Sequence, residues 1–308
     1  MSIYLPIAEM NVNILLIVFI GMAIGLLSGL FGVGGGFLMT PLLIFLGIPP
    51  AVAVGTEAPH VLASSVSGFI AHWRSKNVDI KMGIILLIGG VLGSTAGVGL
   101  FKILRGYGQI DIIIQFLFVI FLGIIGFSML FESARTTIRK YRTTSVIRTK
   151  LHQHSWIHGL PFKMRFHRSK LYISTIPPFI IGFFVGVLSA MMGIGGGFIM
   201  IPAMVYILGM STNVVVGTSL FQIIFVTANS TFFQSYLNQT VDIVLASLMI
   251  IGGVIGAQIG ARIGTTFKAE YLRGALAFLV LIVCIKILLD LTLTPNNLFS
   301  VSEVIIKK

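Results

Sequence analysis

The residues of this sequence that could do chemistry are an acid and a histidine inside an apolar stretch, Glu57 and His60. A spacing of three residues places both side chains on one face of a helix. An apolar environment disfavours a charged carboxylate, whereas a histidine beside it can exchange protons in the physiological pH range. Glu57 and His60 are therefore predicted to be a proton-coupling pair. A purely structural hydrogen bond that bridges helices is the alternative interpretation.

A related polar group lies at the matching place in the second half of the chain. Thr218, Ser219 and Gln222 align with Thr56 and the acid–histidine pair. Polar side chains within a membrane segment usually point to the protein interior or to a cavity. The sequence predicts that Thr56, Thr218, Ser219 and Gln222 bind substrate.

Two glycine triplets are the next candidates for a binding site. Glycine adopts positive φ and lets the backbone approach a ligand closely. Such a turn just before a helix leaves N–H groups free at the positive end of the helix dipole, which suits a small oxyanion. Close packing between helices is the alternative use of small residues in membranes. The residues expected to face substrate are Gly34, Gly35, Gly36, Gly195, Gly196 and Gly197.

The triplets belong to one phrase of seventeen residues that occurs twice, at residues 25–41 and 186–202, with ten identical positions. A repeat of this length indicates two copies of one structural unit. Pro41 and Pro202, five residues after the triplets, predict a short broken or re-entrant helix in each copy.

The composition is that of a membrane protein. Charged residues are 10% of the chain, against about 25% in a typical soluble domain. Ten apolar segments occur, and lipid admits only helices or closed barrels. The predicted fold is therefore an all-α polytopic membrane protein with two repeats of about five segments, and the odd number requires the second copy to be inverted. The segments are residues 12–30, 34–48, 51–72, 80–100, 112–131, 171–191, 195–209, 213–234, 242–261 and 272–292.

A basic stretch separates the two halves. Residues 132–170 hold ten Lys or Arg and one acid, which predicts a cytoplasmic loop that lies against anionic lipid, with no nucleic acid as partner. The predicted domains are a first membrane repeat at 1–131, this loop, and a second membrane repeat at 171–308. With the loop inside, sixteen Lys or Arg lie on the cytoplasmic side and four outside, as the positive-inside rule requires.

Smaller features complete the prediction. Asp79 and Asp242 match each other and each precede a helix, so both are predicted N-caps. Lys286 and Asp290, four residues apart on the last helix, are expected to pair. The G-G-x-x-G motif in the fourth segment of each half favours close helix contacts. No hydrolase, kinase, redox or nucleotide-binding motif is present, so no enzymatic activity, cofactor or metal site is predicted.

These motifs resemble the sulfite exporter TauE/SafE family of membrane permeases. The resemblance rests on G-x-G-G-G-x-x-x-x-P at residues 32–41 and 193–202, on V-G-T after each short helix, and on V-D before each fourth segment. It implies a permease for small sulfur-containing anions such as sulfite, thiosulfate or organosulfonates, with the glycine triplets, Thr56 and Thr218 at the site. The first half departs from the pattern, because G-T-E followed by Pro-His stands where the second half has G-T-S.

Residues and resemblance together predict a secondary transporter in the cytoplasmic membrane. It would move a small anion, a sulfur oxyanion or organosulfonate such as sulfite, by alternating access, with the proton as candidate coupling ion. Membrane lipid is the other expected partner, and the sequence defines no oligomeric state. Two alternatives stay open: a metal or other cation carrier that uses Glu57 and His60, and a membrane assembly protein that transports nothing.

Overall fold

The computed structural model of the chain describes residues 2–31, 36–75, 77–142, 161–166, 168–169, 171–264 and 269–292. These residues form ten helices and two β-hairpins. The helices are α1 (Ile14–Phe31), α2 (Gly36–Phe45), α3 (Pro50–Arg74), α4 (Ile80–Gly106), α5 (Ile110–Arg142), α6 (Ile176–Met192), α7 (Gly197–Pro202), α8 (Thr212–Phe233), α9 (Ile243–Gly264) and α10 (Ala269–Thr292). The strands are β1 (Ser2–Leu5), β2 (Met10–Asn13), β3 (Lys163–Phe166) and β4 (Leu171–Ser174). π-Helical turns follow α7 and α8, at Ala203–Ile207 and Gln234–Asn238.

Each predicted apolar segment overlaps one of the ten helices, which confirms an all-α polytopic membrane protein. Within the described residues, α4, α5, α8, α9 and α10 include stretches that are long and apolar enough to cross a membrane. The largest difference is at α5, which was predicted to end at residue 131 and continues to Arg142. Hydropathy marks where a helix leaves the lipid, whereas the backbone hydrogen bonds of α5 continue beyond that point.

Helices α2 and α7 are too short to cross a membrane. Helix α2 has ten residues, and α7 together with the π-helical turn that continues it runs from Gly197 to Ile207. Each rises about 15 Å, against about 30 Å of hydrocarbon. Helix α2 begins at Gly36, in contact with Val61 of α3, and the turn after it brings Gly47 to the Met10 side chain of β2. Helix α2 therefore starts in the interior and returns to the end of the molecule where α1 began. The prediction of broken or re-entrant helices at the glycine motifs is confirmed.

The two β-hairpins were not predicted. In the first hairpin Leu5 pairs with Met10, and in the second Phe166 pairs with Leu171. These are equivalent residues when the halves are aligned on the glycine phrase, so each repeat starts with a hairpin rather than with its first helix. The predicted loop included residues 163–166, which form a strand in the structure. Each strand has only four residues, which is too short for alternation of polar and apolar residues to identify it.

The turn of each hairpin is held by an aspartate of the other half. The backbone N–H of Ile7 donates to the Asp242 carboxylate at 3.0 Å. The N–H and hydroxyl of Ser169 donate to the Asp79 carboxylate at 3.0 and 2.7 Å. Each aspartate also accepts a backbone N–H from the first turn of its own helix, α4 or α9, at 3.3 and 3.1 Å. Both predicted N-caps are confirmed, and each hairpin lies beside the start of the other half's fourth helix.

The first helix of each half packs along the fourth helix of the other half. Helix α1 lies on α9, and α6 lies on α4. A methyl group on Gly25 would overlap the backbone of Gly253, and a methyl group on Gly186 would overlap the backbone of Gly90. These are equivalent pairs with the halves exchanged. The backbones approach as closely as glycine permits, which confirms the prediction of close helix contacts at the G-G-x-x-G motifs.

Two equivalent phenylalanines meet at the centre of the molecule. Phe37 and Phe198, each of which follows a glycine triplet, stack with ring centroids 4.1 Å apart and planes 5° from parallel. The stacked pair therefore joins equivalent positions of the two halves.

The predicted pair of Lys286 and Asp290 is wrong. The ammonium group of Lys286 lies 3.9 Å from the centroid of the Phe45 ring. Within the described ranges, the only ion pair joins Glu57 and His60. An ammonium group is attracted to the face of an aromatic ring, and Lys286 makes that contact instead of the pair with Asp290.

Alanine at Gly93 of α4 should destabilise the protein, because the added methyl group would overlap the backbone carbonyl of Phe183 in α6. The same should hold for the equivalent Gly256. The matched control is Gly99 of α4, which has open space around it. We expect Gly93→Ala and Gly256→Ala each to cost about 1–3 kcal/mol, measured as a lower midpoint of thermal unfolding in detergent. Gly99→Ala should unfold like the wild type. Three equal midpoints would contradict the close packing.

Candidate functional site

Helix α3 carries the predicted acid–histidine pair in its second and third turns. The helix begins at Pro50, and proline is favoured in the first turn because its missing N–H needs no partner there. Nδ1 of His60 lies 2.9 Å from Oε1 of Glu57. The exposed fractions of the two residues are 1% and 0%. The predicted pairing is confirmed as a buried hydrogen-bonded contact.

The pair leaves polar atoms without partners. Within the described residues, neither Oε2 of Glu57 nor Nε2 of His60 has a hydrogen-bond partner. His60 Nε2 faces the backbone of Gly253 in α9, and Nε2 of Gln222 faces Gly90 in α4. The histidine and the glutamine therefore occupy equivalent places in the two halves, as their alignment predicted. Oε1 of Gln222 also lacks a partner in this part of the chain.

The first glycine break meets the carboxylate and the second break at one point. A methyl group on Gly36 would lie 3.2 Å from Oε1 of Glu57 and 3.0 Å from the carbonyl oxygen of Ile194. Ile194 lies inside the second glycine phrase, directly before the triplet. The Glu57 carboxylate therefore lies beside the place where the two interrupted helices meet.

The second glycine break uses the conformational freedom of glycine. Gly193, Gly195 and Gly196 have φ values of 74°, 71° and 81°, which other residues rarely adopt. A methyl group on Gly195 would overlap Val61, one turn along α3 from Glu57. The break is therefore packed against the same helix face that carries the acid.

The second break also presents backbone donors. The N–H groups of Gly197 and Phe198, the first two of α7, make no backbone hydrogen bond within the described residues. Of the predicted substrate-facing glycines, Gly34 and Gly35 lie outside the described residues. The other four lie at the two breaks: Gly36 lies beside Glu57, Gly195 packs against Val61, and Gly196, which precedes Gly197, packs against Val185 of α6.

The two predicted threonines join the halves. Oγ1 of Thr56 accepts the backbone N–H of Asp242 at 3.0 Å, and Oγ1 of Thr218 accepts the backbone N–H of Asp79 at 3.0 Å. The Thr56 hydroxyl also donates to the carbonyl of Thr240 at 3.3 Å. The structure thus places Thr56 at the start of α9 and Thr218 at the start of α4, rather than side by side.

Several other hydroxyl groups are satisfied within their own helices. Ser219, Ser64 and Thr227 each donate to a carbonyl about one turn earlier in the same helix. Such bonds are common for hydroxyl residues in membrane helices. Asn229 of α8 donates to Ser94 of α4 at 2.9 Å and so links two helices.

Ser189 of α6 is a candidate site residue that was not predicted from the sequence. Its carbonyl accepts the N–H of Gly193 at 2.9 Å, where α6 ends. Its buried hydroxyl oxygen has no partner among the described residues, and its Cβ would lie 3.6 Å from a methyl group on Gly196. The available signal was the repeated phrase itself, in which Ser189 and Ser28 are identical.

The described side chains of the predicted site are buried. The predicted side chains that are at most 1% exposed are Thr56, Glu57, His60, Thr218, Ser219 and Gln222.

Comparison with known proteins identifies relatives over almost the whole chain. The model of a family described as "Sulfite exporter TauE/SafE" matches residues 17–287. "Probable membrane transporter protein YjnA" of Bacillus subtilis is 28% identical over 281 residues, which cover 91% of this chain and 100% of that protein. A "Probable membrane transporter protein" of Xylella fastidiosa strain 9a5c is 28% identical over 257 residues, covering 82% of this chain and 83% of that protein.

A plant relative matches a shorter part. "Sulfite exporter TauE/SafE family protein 3" of Arabidopsis thaliana is 34% identical over 79 residues, which cover 26% of this chain and 16% of that protein. No solved structure matches the chain.

Valine in place of Thr56 or Thr218 keeps the side-chain shape and removes the hydroxyl group that accepts the aspartate N–H of the other half. A buried donor left without its acceptor costs about 1–3 kcal/mol, so both variants should show a lower unfolding midpoint in detergent. Thr227→Val is the control, because the Thr227 hydroxyl serves only its own helix, and it should match the wild type. Unchanged midpoints in Thr56→Val and Thr218→Val would exclude the structural role of these hydroxyls.

Proposed function

The chain belongs to the sulfite exporter TauE/SafE family, and from that premise we propose that it is a secondary transporter of a small anion in the cytoplasmic membrane. The proposed substrate is a sulfur oxyanion or an organosulfonate such as sulfite. The family match and the relatives named as probable membrane transporters support transport rather than catalysis.

The observation that carries the proposal is the buried Glu57–His60 pair beside both glycine breaks. Ionisable residues inside a membrane are expensive, and they commonly mark ion pathways and proton relays. Here the unpaired atoms Glu57 Oε2 and His60 Nε2 are available to a ligand or a proton. A packing role alone gives no reason for two unsatisfied polar atoms in the interior.

The charge of this pair links an anion to a proton. With one shared proton the pair is neutral overall, and with a second proton it carries one positive charge. The attraction between this charge and an anion is strong in a medium of low dielectric constant. By linkage, an anion that prefers the doubly protonated pair raises its proton affinity by the same factor. We therefore propose that anion and proton move together.

Hydrogen-bond donors near the pair complete the proposed site. The N–H groups of Gly197 and Phe198, which make no backbone hydrogen bond within the described residues, lie at the second break, and backbone N–H groups at a helix start suit an oxyanion. Gln222 occupies the place equivalent to His60 and offers a neutral amide. We assign Thr56 and Thr218 to the contact between the halves instead, because their hydroxyls are already engaged there.

Alternating access is the proposed mechanism, with the two halves in inverted orientation. The exchanged contacts of α1 with α9 and of α6 with α4 support a two-fold relation between the halves. Five segments per copy would then place equivalent ends on opposite membrane faces. Equivalent motions of the two halves would open the buried site to one side at a time.

A cation carrier is the less favoured alternative. Glu57 and His60 supply two ligands, and no group of three His, Cys, Asp or Glu side chains that could hold a metal ion occurs in the described part of the chain. Two ligands are too few for a selective metal site. The other alternative, a membrane assembly protein that transports nothing, would show neither anion binding nor flux.

The double variant Glu57→Ser with His60→Gln gives the first half the residues that the second half carries. The wild type should bind methanesulfonate, whose charge is constant near neutral pH, about tenfold more weakly for each pH unit above the point where the pair loses its second proton. The double variant should bind weakly, with little pH dependence, because neither substituted side chain titrates. Binding is measured as the thermal shift of the purified protein. Flux is measured separately in proteoliposomes that contain a pH-sensitive dye.

Ser64→Ala is the control, because the Ser64 hydroxyl bonds only to its own helix; its affinity and pH profile should be those of the wild type. The double variant must also unfold at a midpoint close to that of the wild type. If it then transports methanesulfonate with an unchanged pH profile, the pair does not couple protons. If divalent cations and not anions shift the wild-type midpoint, the cation alternative is correct.

A further inference from the structure

A cavity of about 530 Å³ lies away from the central site, where α3 ends and α4 begins. Three cationic side chains line it: Arg74 at the end of α3, Lys81 in the first turn of α4, and Arg168 in the turn between β3 and β4. Trp73 and Ile80 form an apolar part of the same lining. The cavity is thus assembled from both halves of the chain.

The described part of the chain supplies no ion-pair partner for the three cations. Asp79 also lines the cavity, but its carboxylate is buried and already accepts hydrogen bonds from Met82 and Ser169. The cavity therefore carries a net positive charge that an anionic ligand can neutralise.

The duplication shows that the fold does not need these charges. The residues equivalent to Trp73, Arg74, Lys81 and Arg168 in the other half are uncharged: Ser235, Tyr236, Val244 and Ile7. The scaffold is the same at both places, including the hairpin turn on the N-cap aspartate. The cations are therefore an addition at one face of the molecule.

An apolar stripe runs from the cavity along α4. Ile80, Ile84, Ile88 and Leu92 follow one another at four-residue spacing on one helix face, and each is 45–53% exposed. Trp73, which is 51% exposed, is the type of residue found at the level of lipid headgroups. The cations thus lie at the end of a surface on which an acyl chain can pack.

We propose that this cavity binds the phosphate group of an anionic phospholipid, with an acyl chain along the α4 stripe. Arginine and lysine side chains donate charge-assisted hydrogen bonds to phosphate oxygens. Soluble phosphate offers the same charged group, but it has no acyl chain that could pack on the stripe or on Trp73. The site is separate from the Glu57–His60 pair and does not depend on the proposed transport substrate.

The test compares two variants that each lose three positive charges. The cavity variant is Arg74→Gln, Lys81→Gln and Arg168→Gln. The control variant is Lys102→Gln, Arg105→Gln and Lys286→Gln, whose side chains are exposed, do not line the cavity and lie outside the basic stretch 132–170. Delipidated protein is titrated with phosphatidylglycerol or phosphatidylcholine. Bound lipid is counted by native mass spectrometry, and the stabilisation by lipid is measured as the shift of the unfolding midpoint.

Each base is expected to contribute about fivefold in affinity for an anionic headgroup, so the cavity variant should bind phosphatidylglycerol about 100-fold more weakly than the wild type. The control variant should bind it like the wild type, and phosphatidylcholine should not discriminate between the proteins. If the two variants lost equal affinity for phosphatidylglycerol, the effect would come from general surface charge, and the proposal would be overturned. Stabilisation by inorganic phosphate as strong as that by the lipid would also overturn it.

Discussion

Hydrocarbon offers no partner to a backbone hydrogen-bonding group, and this constraint organises the whole molecule. A helix that is interrupted at a glycine turn leaves N–H and C=O groups that protein must enclose. Here residues of both halves enclose each break: Gly36 lies on Val61 of its own half and on Ile194 of the other, and Gly195 lies on Thr227 of its own half and on Val61 of the other. The close packing of the two halves therefore helps to enclose the backbone groups that the broken helices leave without partners.

The two copies also act as controls for each other. Where the scaffold needs a residue, both copies keep it: Thr56 and Thr218 make equivalent hydrogen bonds to the start of the opposite fourth helix. The copies differ in chemistry at Glu57, which is equivalent to Ser219, and at His60, which is equivalent to Gln222. This difference supports the proposal that the titratable pair serves function, because the repeated backbone is built without it in the other half. An acid in only one half makes the centre asymmetric although the backbone around it repeats.

The sequence predicts what repeats over many residues, and it fails where the signal is short or where contacts are distant. The ten helices follow from apolar runs, and the Glu57–His60 contact follows from a spacing of three residues on one helix. The four-residue strands are too short to show alternation. In β3, the charges of Lys163 and Arg165 are in addition typical of a loop. The partners of Thr56 could not be predicted, because Asp242 is brought to it only by the packing of α3 against α9.

The buried site explains why one carboxylate can set the coupling in the proposed mechanism. A buried polar atom without a partner costs about 1–3 kcal/mol, so a ligand that supplies an acceptor to His60 Nε2 removes a cost that the empty protein carries. The same ligand, if anionic, is repelled by Glu57 as long as that carboxylate is charged. Burial of the pair weakens the screening of this repulsion. Protonation of Glu57 is therefore a condition for tight anion binding, and it follows from the position of the carboxylate beside the breaks.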